Sequence, residues 1–479
     1  MDSKKKKLVL TANQQQVLED LVGFIRNKAA KVFILCGYAG TGKTTLMKVL
    51  IEELEKRNYS FSLLASTGRA AKILSNATRY SASTVHSLIY KFDDLNQDMD
   101  KLIAQREKTG VDKFGQLLLS FSLVPIEKYE EDARYYIVDE SSMISDEIDK
   151  NATQANFGSG KLLADLLAFD PKGKFVFVGD VCQLPPVLQD FSPALSADYV
   201  KQYYTLPTQK VELTEIVRQG IGNDLVLSAQ RMRNLHQNPP VCLWGKFPLR
   251  GYEHIRLYSS REELLNQYIE KVKKKGYNEL TMITQSNKGC VELTNSIRPA
   301  LGFTSPRIEI GDLLLVTQNN YISGLMNGDM VVINKIGIKK ERAGLTFVYV
   351  EVKELFTEKV YSLLMIENIV YSTAINLTQS QQKELFIDFF MRMREKGIKQ
   401  KTEAFHRAMM TDPYLNALRA VYGYALTCHK AQGGEWEEVY LDIPRRISRE
   451  PKASTYQWLY TAMTRAKGYL HIVDDFYVR

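Results

Sequence analysis

The chain has 479 residues, too many for one ordinary core, so roughly two to four domains are expected. Its composition is that of a globular protein, 45% hydrophobic and 25% charged, and its net charge of +8 admits a polyanionic partner without requiring one. Five scattered cysteines without a CxxC pair argue against a disulfide framework or a zinc site and fit a reducing cytosol, and no apolar run approaches the roughly 18–20 residues of a membrane span.

The N-terminal run Lys4–Lys7 has no signal-peptide h-region after it and reads as a solvated tail. The apolar run Val32-Phe33-Ile34-Leu35 then leads into Gly37-Tyr38-Ala39-Gly40-Thr41-Gly42-Lys43-Thr44, and a helical pattern follows through Leu46, Val49 and Leu50. That is a phosphate-binding loop in the strand–loop–helix setting it needs. Its glycines let backbone N–H groups turn toward phosphate oxygens, and the helix N-terminus adds a favourable dipole. Lys43 would reach the β/γ-phosphates of a nucleotide, and the Thr44 hydroxyl would hold Mg²⁺.

Further short apolar runs end in polar or glycine-rich loops: Phe61–Leu64, Tyr135–Val138 and Phe175–Val178. With helical patterns between them they predict an α/β fold, a parallel sheet covered on both faces, with ligands at the carboxyl ends of its strands. From Ser87 to Ala133 the alternation breaks, which predicts an insertion; Phe114 and Phe121 are its apolar candidates, as a tip or as core. A second α/β pattern starts near Tyr204 and returns with Val439–Ile443 and Tyr469–Val473. Between them, residues 331–370 alternate as a small antiparallel barrel or sheet, and Thr378-x-x-Gln381 predicts a capping box before the helix Glu384–Met393.

The loops after the strands carry the chemistry. Asp139 would hold Mg²⁺, directly or through water, and Glu140 would polarise an attacking water. Gln183, in Gly179–Val187, can bond the terminal phosphate or the lytic water and report whether that phosphate is present. Two arginines, Arg218 in Leu213–Gln219 and Arg465 in Tyr460–Lys467, are candidates for stabilising the charge of phosphoryl transfer. Ala65–Lys72 offers Thr67, Gly68 and Arg69, small polar groups, backbone N–H and a cation, which is what contacts to a nucleic-acid backbone use. Ser83–Ser87, with Thr84 and His86, and Thr427–Gly434, with Thr427, His429 and Lys430, offer similar chemistry. Cys428 and His429 lack the partner pair a zinc site needs.

Taken in order, Gly37–Thr45, Ala65–Lys72, Ser83–Ser87, Asp139–Met143, Gly179–Val187, Leu213–Gln219, Tyr424–Trp436 and Trp458–Lys467 resemble the motifs of superfamily 1 helicases of the RecD-like, Dda-like and Pif1-like branch. The resemblance covers the core almost end to end and the two insertions only by position. It implies a first RecA-like domain at 1–86 and 134–200 with an inserted subdomain, often bearing a strand-separating pin, at 87–133. It implies a second RecA-like domain at 201–330 and 423–479, interrupted by an SH3-like insertion at 331–422. ATP would lie between the two, held by Gly37, Ala39, Gly40, Thr41, Gly42, Lys43, Thr44 and Thr45, with Gln14 at the base and Glu435 at the sugar. Arg218 and Arg465 would meet the γ-phosphate. Thr67, Gly68, Thr84, His86, Thr427, His429 and Lys430 fall where the family touches the strand; Asn327-Gly328-Asp329 also resembles a family segment, without an assigned role.

The activity implied is an ATP-driven DNA helicase using Mg²⁺, moving 5′ to 3′ on single-stranded DNA and opening partial duplexes as a cytoplasmic monomer, nucleoid-associated in a bacterium. An RNA or RNA/DNA-hybrid helicase shares the same ATP site, since backbone grips accept both nucleic acids. An ATP-driven translocase or switch without unwinding is the rival of another class. A small-molecule kinase would have one lobe and a lid instead of the second set of motifs.

Overall fold

The computed structural model describes residues 10–103, 117–125, 134–148, 155–216, 224–372 and 374–479. Two parallel sheets organise it. The first has six strands in the order Ala82–Thr84, Phe61–Ala65, Tyr135–Asp139, Lys174–Gly179, Val32–Gly37 and Thr208–Leu213. Its central strands are buried along their whole length, as in Val32–Gly37 and Lys174–Gly179, because helices cover both faces. Leu46, Leu50 and Phe24 pack on one side, and Leu163, Leu166 and Leu195 on the other. This is the first RecA-like lobe.

The second lobe's sheet has five parallel strands, Ile255–Tyr258, Ala466–Val473, Trp436–Leu441, Leu280–Thr284 and Leu426–Thr427, in that order. Helices Leu225–Gln237 and Ala453–Met463 bury their apolar faces in its core.

The strand Thr208–Leu213 departs from the division expected near residue 200. It pairs in parallel with Val32–Gly37 and closes the edge of the first sheet. Its sequence, Thr-Gln-Lys-Val-Glu-Leu, is mostly solvent-facing, so it lacks the continuous apolar run of its neighbours.

The β-rich insertion is an antiparallel sheet of five strands, Val360–Ile366, Leu345–Glu354, Met330–Arg342, Leu313–Val316 and Ala420–Tyr422. It therefore begins at Leu313, ahead of the expected 331. The Thr378 capping box forms, and its helix runs Gln379–Glu395, starting ahead of the expected Glu384.

The insertion in the first lobe contains a three-stranded sheet of Tyr90–Leu95, Leu119–Leu123 and Ala155–Phe157, the last lying beyond the expected 133. Phe121 stacks on Phe157 with ring centroids 4.6 Å apart. Phe114 lies outside the described residues, as do Arg218 and the Lys4–Lys7 run. The sheet is braced from the second half of the chain: Leu95 and Met99 share a core with Phe386 and Phe389, and the Gln400 side chain donates to Gln97 O at 3.0 Å. Among the described residues no helix is long and apolar enough to cross a membrane.

Candidate functional site

The phosphate loop leaves the carboxyl end of Val32–Gly37 and enters the helix Lys43–Lys56. Gly42 caps that helix at φ +86°, in the left-handed region, and a Cβ there would lie 2.3 Å from Gln14 Nε2. Glycine is required on both counts. Gln14 is 2% exposed; its amide donates to Thr41 O at 3.0 Å and accepts from Thr11 N at 3.1 Å, which locks the start of the helix Ala12–Arg26 against the loop. Lys43 Nζ donates to Gly37 O at 2.7 Å and Tyr38 O at 3.1 Å, so its cation sits inside the loop. Thr44 is exposed on the first turn of the helix, with Thr45 beside it.

Asp139 ends the strand Tyr135–Asp139. Glu140 follows at φ +51°, a left-handed conformation uncommon for a non-glycine residue, and donates its N–H to Asp139 Oδ1 at 2.9 Å. Burial, then the neighbouring Glu140 charge, hold the Asp139 carboxyl well above the usual carboxylate range, while the Glu140 N–H and Lys43 oppose the shift. A desolvated carboxyl crowded by a second acid, and near enough to the phosphate loop to feel the Lys43 charge, fits a hard divalent cation. Among the described residues no cluster of three His, Cys, Asp or Glu side chains offers another metal site.

The loop after Lys174–Gly179 is gripped by the second lobe. Gln457 Nε2 donates to Gln183 O at 2.9 Å, Leu184 N donates to Thr461 Oγ1 at 2.9 Å, and Gln432 Nε2 donates to Leu184 O at 3.0 Å. The Gln183 side chain is buried, and its Oε1 has no partner among the described residues. Tyr460 spans the same interface. Its hydroxyl donates to Asp180 Oδ2 at 2.7 Å and accepts from Ala39 N at 3.4 Å.

Arg465 is 3% exposed and, among the described residues, donates to neutral oxygens, Thr461 O, Gly434 O and Thr464 Oγ1, at 3.2–3.4 Å. Its charge helps to lower the pKa of Asp180, which burial raises. A small cavity of about 40 Å³ is lined by Tyr38 and Ala39 from one lobe and by Arg233, Tyr460 and Lys467 from the other. Glu435 is exposed immediately before Trp436–Leu441.

A separate groove of about 570 Å³ runs between the halves. Thr67, Gly68, Thr84 and His86 line it from the first lobe, Phe121 and Phe157 from the inserted sheet, and Gln318 and Asn327 from the second half. Thr67, Thr84 and Thr427 share one local geometry: each hydroxyl caps a helix that starts at a strand end. Burial lowers the pKa of His86 to about 4, so its ring is neutral at neutral pH; burial also lowers that of His429. Thr427 and Lys430 line a second cavity of about 460 Å³, and Lys430 Nζ donates to Asn327 Oδ1 at 3.2 Å, which joins them to the first groove.

Arg69 departs from the expected strand contacts. Its guanidinium lies 4.2 Å from the centre of the Trp436 ring, across the lobe boundary, and does not line the groove. Successive helix residues turn by about 100°, so the residue after Gly68 points away from the surface that Gly68 lines.

The AAA domain family model matches residues 9–238, and that of the UvrD-like helicase C-terminal domain matches residues 422–473. The chain is 24% identical to the ATP-dependent DNA helicase dda of Enterobacteria phage T4 over 98% of its own length and 99% of that protein. It is 24% identical to the ATP-dependent RecD2 DNA helicase of Deinococcus radiodurans over 97% of its own length, but spans only 49% of that longer protein. These matches support a superfamily 1 helicase of the RecD- and Dda-like kind. The crystal structure of Pif1 helicase from Bacteroides in complex with ADP-AlF3 and ssDNA aligns over 98% of this chain and 93% of its own, with 16% identity and a TM-score of 0.46.

Within this helicase scaffold, two cleft residues escaped the sequence reading. Tyr460 stands inside the motif that marks Arg465, but nothing in that motif says where its hydroxyl ends. Arg233 is one of two arginines on its helix, with Arg231; its guanidinium lies 3.6 Å from the centre of the Tyr38 ring, and its buried Nε has no acceptor among the described residues.

Proposed function

We propose that this chain is an ATP-dependent DNA helicase that moves 5′ to 3′ on single-stranded DNA and separates the duplex ahead of it. One observation carries the reading. The phosphate loop, Asp139, Glu140 and Gln183 of one lobe share a cleft with Tyr460 and Arg465 of the other, while both halves of the chain line a groove with backbone-binding chemistry. DNA is favoured because both named relatives are DNA helicases. The direction is the one that the motif resemblance implies.

In this reading Gly37–Thr45 cradle the phosphates and Lys43 turns from its loop carbonyls to the β/γ oxygens. Gln14 stands at the base and Glu435 at the sugar. Thr44 and Asp139 would hold Mg²⁺, which supplies charge neutralisation of the phosphates when bound. Glu140 orients and deprotonates the attacking water. Gln183 reads the terminal phosphate, and its loop hands the signal to Gln457, Thr461 and Gln432. Arg465 approaches from the second lobe, with Arg218 as its expected companion. Thr67, Gly68, Thr84 and His86 grip the strand on one side, and Thr427, His429 and Lys430 on the other. Alternating grips advance the chain as the lobes close and reopen. An average base-pair step costs about 1.4 kcal/mol to open, so one nucleotide per cycle suffices. In this reading the inserted sheet, braced by Gln400 and Phe389, parts the strands.

ATP hydrolysis with and without single-stranded DNA or RNA tests this. Stimulation by DNA, lost in Lys43→Ala, is expected. Stimulation by RNA alone would replace DNA as the substrate, and no stimulation by either would overturn the reading.

A further inference from the structure

We propose that Lys72 and Arg69 are positioning residues that couple strand occupancy to the spacing of the two lobes; the inference rests on the helicase reading above. The helix Gly68–Thr78 begins in the strand groove, where Thr67 and Gly68 line it. Its next two cations leave the groove and cross into the second half of the chain. Arg69 stacks on Trp436. Lys72 Nζ pairs with Asp329 Oδ2 at 2.5 Å and lies 3.8 Å from Glu354 Oε1; both carboxylates are 2% exposed. Asp329 belongs to Asn327-Gly328-Asp329, the family-like segment to which the sequence assigns no role.

The contacts are tight enough to transmit a shift. A Cβ on Gly68 would lie 2.3 Å from Met326 Sδ, and a Cβ on Gly433 would lie 3.0 Å from Ala70 Cβ. A Cβ on Gly434 would lie 2.7 Å from the Trp436 ring and 2.8 Å from Arg69 Cζ. The first turn of the helix is thus wedged between the turn at 326–329 and the glycine pair of the second lobe, and close-packed interiors pass strain on instead of absorbing it.

The line continues to the nucleotide cleft. Trp436 N donates to Arg465 O at 2.9 Å, and the Arg465 guanidinium donates to Gly434 O at 3.3 Å. On the other branch, Asn327 holds Lys430 at 3.2 Å. A strand seated on Thr67 and Gly68 therefore pushes on a helix whose neighbours, Trp436 and the turn at 326–329, hold the backbone of Arg465 and the side chain of Lys430. Arg69 is lowered to about 10 by burial, with Asp329 and Glu354 as the charges that offset it. Half-buried and stacked on Trp436, Arg69 serves the junction.

Lys72→Gln should leave the basal ATPase within about twofold and cut the stimulation by single-stranded DNA roughly tenfold, a typical size for a coupling free energy. Lys72→Asp should do at least the same, and adding Asp329→Lys should restore most of the stimulation, which a merely structural loss would not do. Arg69→Gln should lose stimulation while the salt dependence of DNA binding keeps its slope. A slope reduced by about one would instead make Arg69 a phosphate contact and overturn its part in the inference. Undiminished stimulation in Lys72→Gln, or no rescue by the swapped pair, would overturn the rest. A parent protein whose ATPase ignores DNA would overturn the helicase reading beneath it.

Discussion

Tyr460→Phe removes a single oxygen from the interface between the lobes and keeps the ring. Tyr460 is 2% exposed, and its hydroxyl donates to Asp180 Oδ2 at 2.7 Å. A hydrogen bond to a charged group contributes roughly 1.5–3 kcal/mol. The second contact, from Ala39 N at 3.4 Å, is long and adds little. Asp180 is 1% exposed and would keep the Cys182 N–H at 2.9 Å, so part of its desolvation would go uncovered. We therefore expect the closed lobe arrangement to lose about 2 kcal/mol, a shift of roughly 30-fold toward open lobes.

The readouts are urea unfolding followed by tryptophan fluorescence and the KM for ATP, which should rise. The pH dependence has a definite sign. Burial already raises the Asp180 pKa and Tyr460 lowers it, so its loss raises it further. The ionised form is the one penalised, so the deficit is largest at alkaline pH and shrinks as Asp180 takes up a proton. An unfolding free energy within about 0.5 kcal/mol of the parent, with an unchanged KM, would refute the claim that Tyr460 bridges the lobes.

Glu140→Gln should keep ATP binding and lose turnover by about 10²–10⁴-fold, as expected for a general base; near-normal multiple-turnover hydrolysis would contradict that role. Asp139→Asn should abolish Mg²⁺-dependent hydrolysis yet raise the melting temperature of the nucleotide-free protein. The raised Asp139 pKa means that its ionised form opposes folding, so the gain belongs to neutral and alkaline pH and fades as pH falls; a lowered melting temperature at neutral pH would count against it. Gly68→Ala places a Cβ 2.3 Å from Met326 Sδ and 2.4 Å from Met326 Cβ, an overpacking of about 1–3 kcal/mol. Anisotropy measurements should show weaker binding of single-stranded DNA, recovered when Met326→Gly removes both clashing atoms; no effect of either change would mean that the turn yields freely.

Much of the fold is legible because parallel strands buried on both faces read as unbroken apolar runs, as Val32–Leu35 and Phe175–Val178 do. The strand Thr208–Leu213 is not legible, since it lies at an edge and its side chains are mostly wet. Leu313–Val316 is apolar enough to be any buried strand; its antiparallel pairing with Met330–Arg342 and Ala420–Tyr422 assigns it to the insertion. The chemical residues at strand ends could be read because residue type and position agree there. What spacing does not give is side-chain direction one position along a helix. Arg69 looks like a phosphate contact and instead faces Trp436. Nor does it give the meeting of distant segments: Arg233 over Tyr38, and Lys72 against Asp329, depend on how the two halves dock.

The central claim is tested most directly by ATP-dependent opening of two partial duplexes, one with a 5′ single-stranded tail and one with a 3′ tail. Opening of the 5′-tailed substrate alone is expected, abolished by Lys43→Ala. Opening of the 3′-tailed substrate alone would contradict the direction, and failure to open either, despite ATPase stimulated by DNA, would contradict unwinding itself.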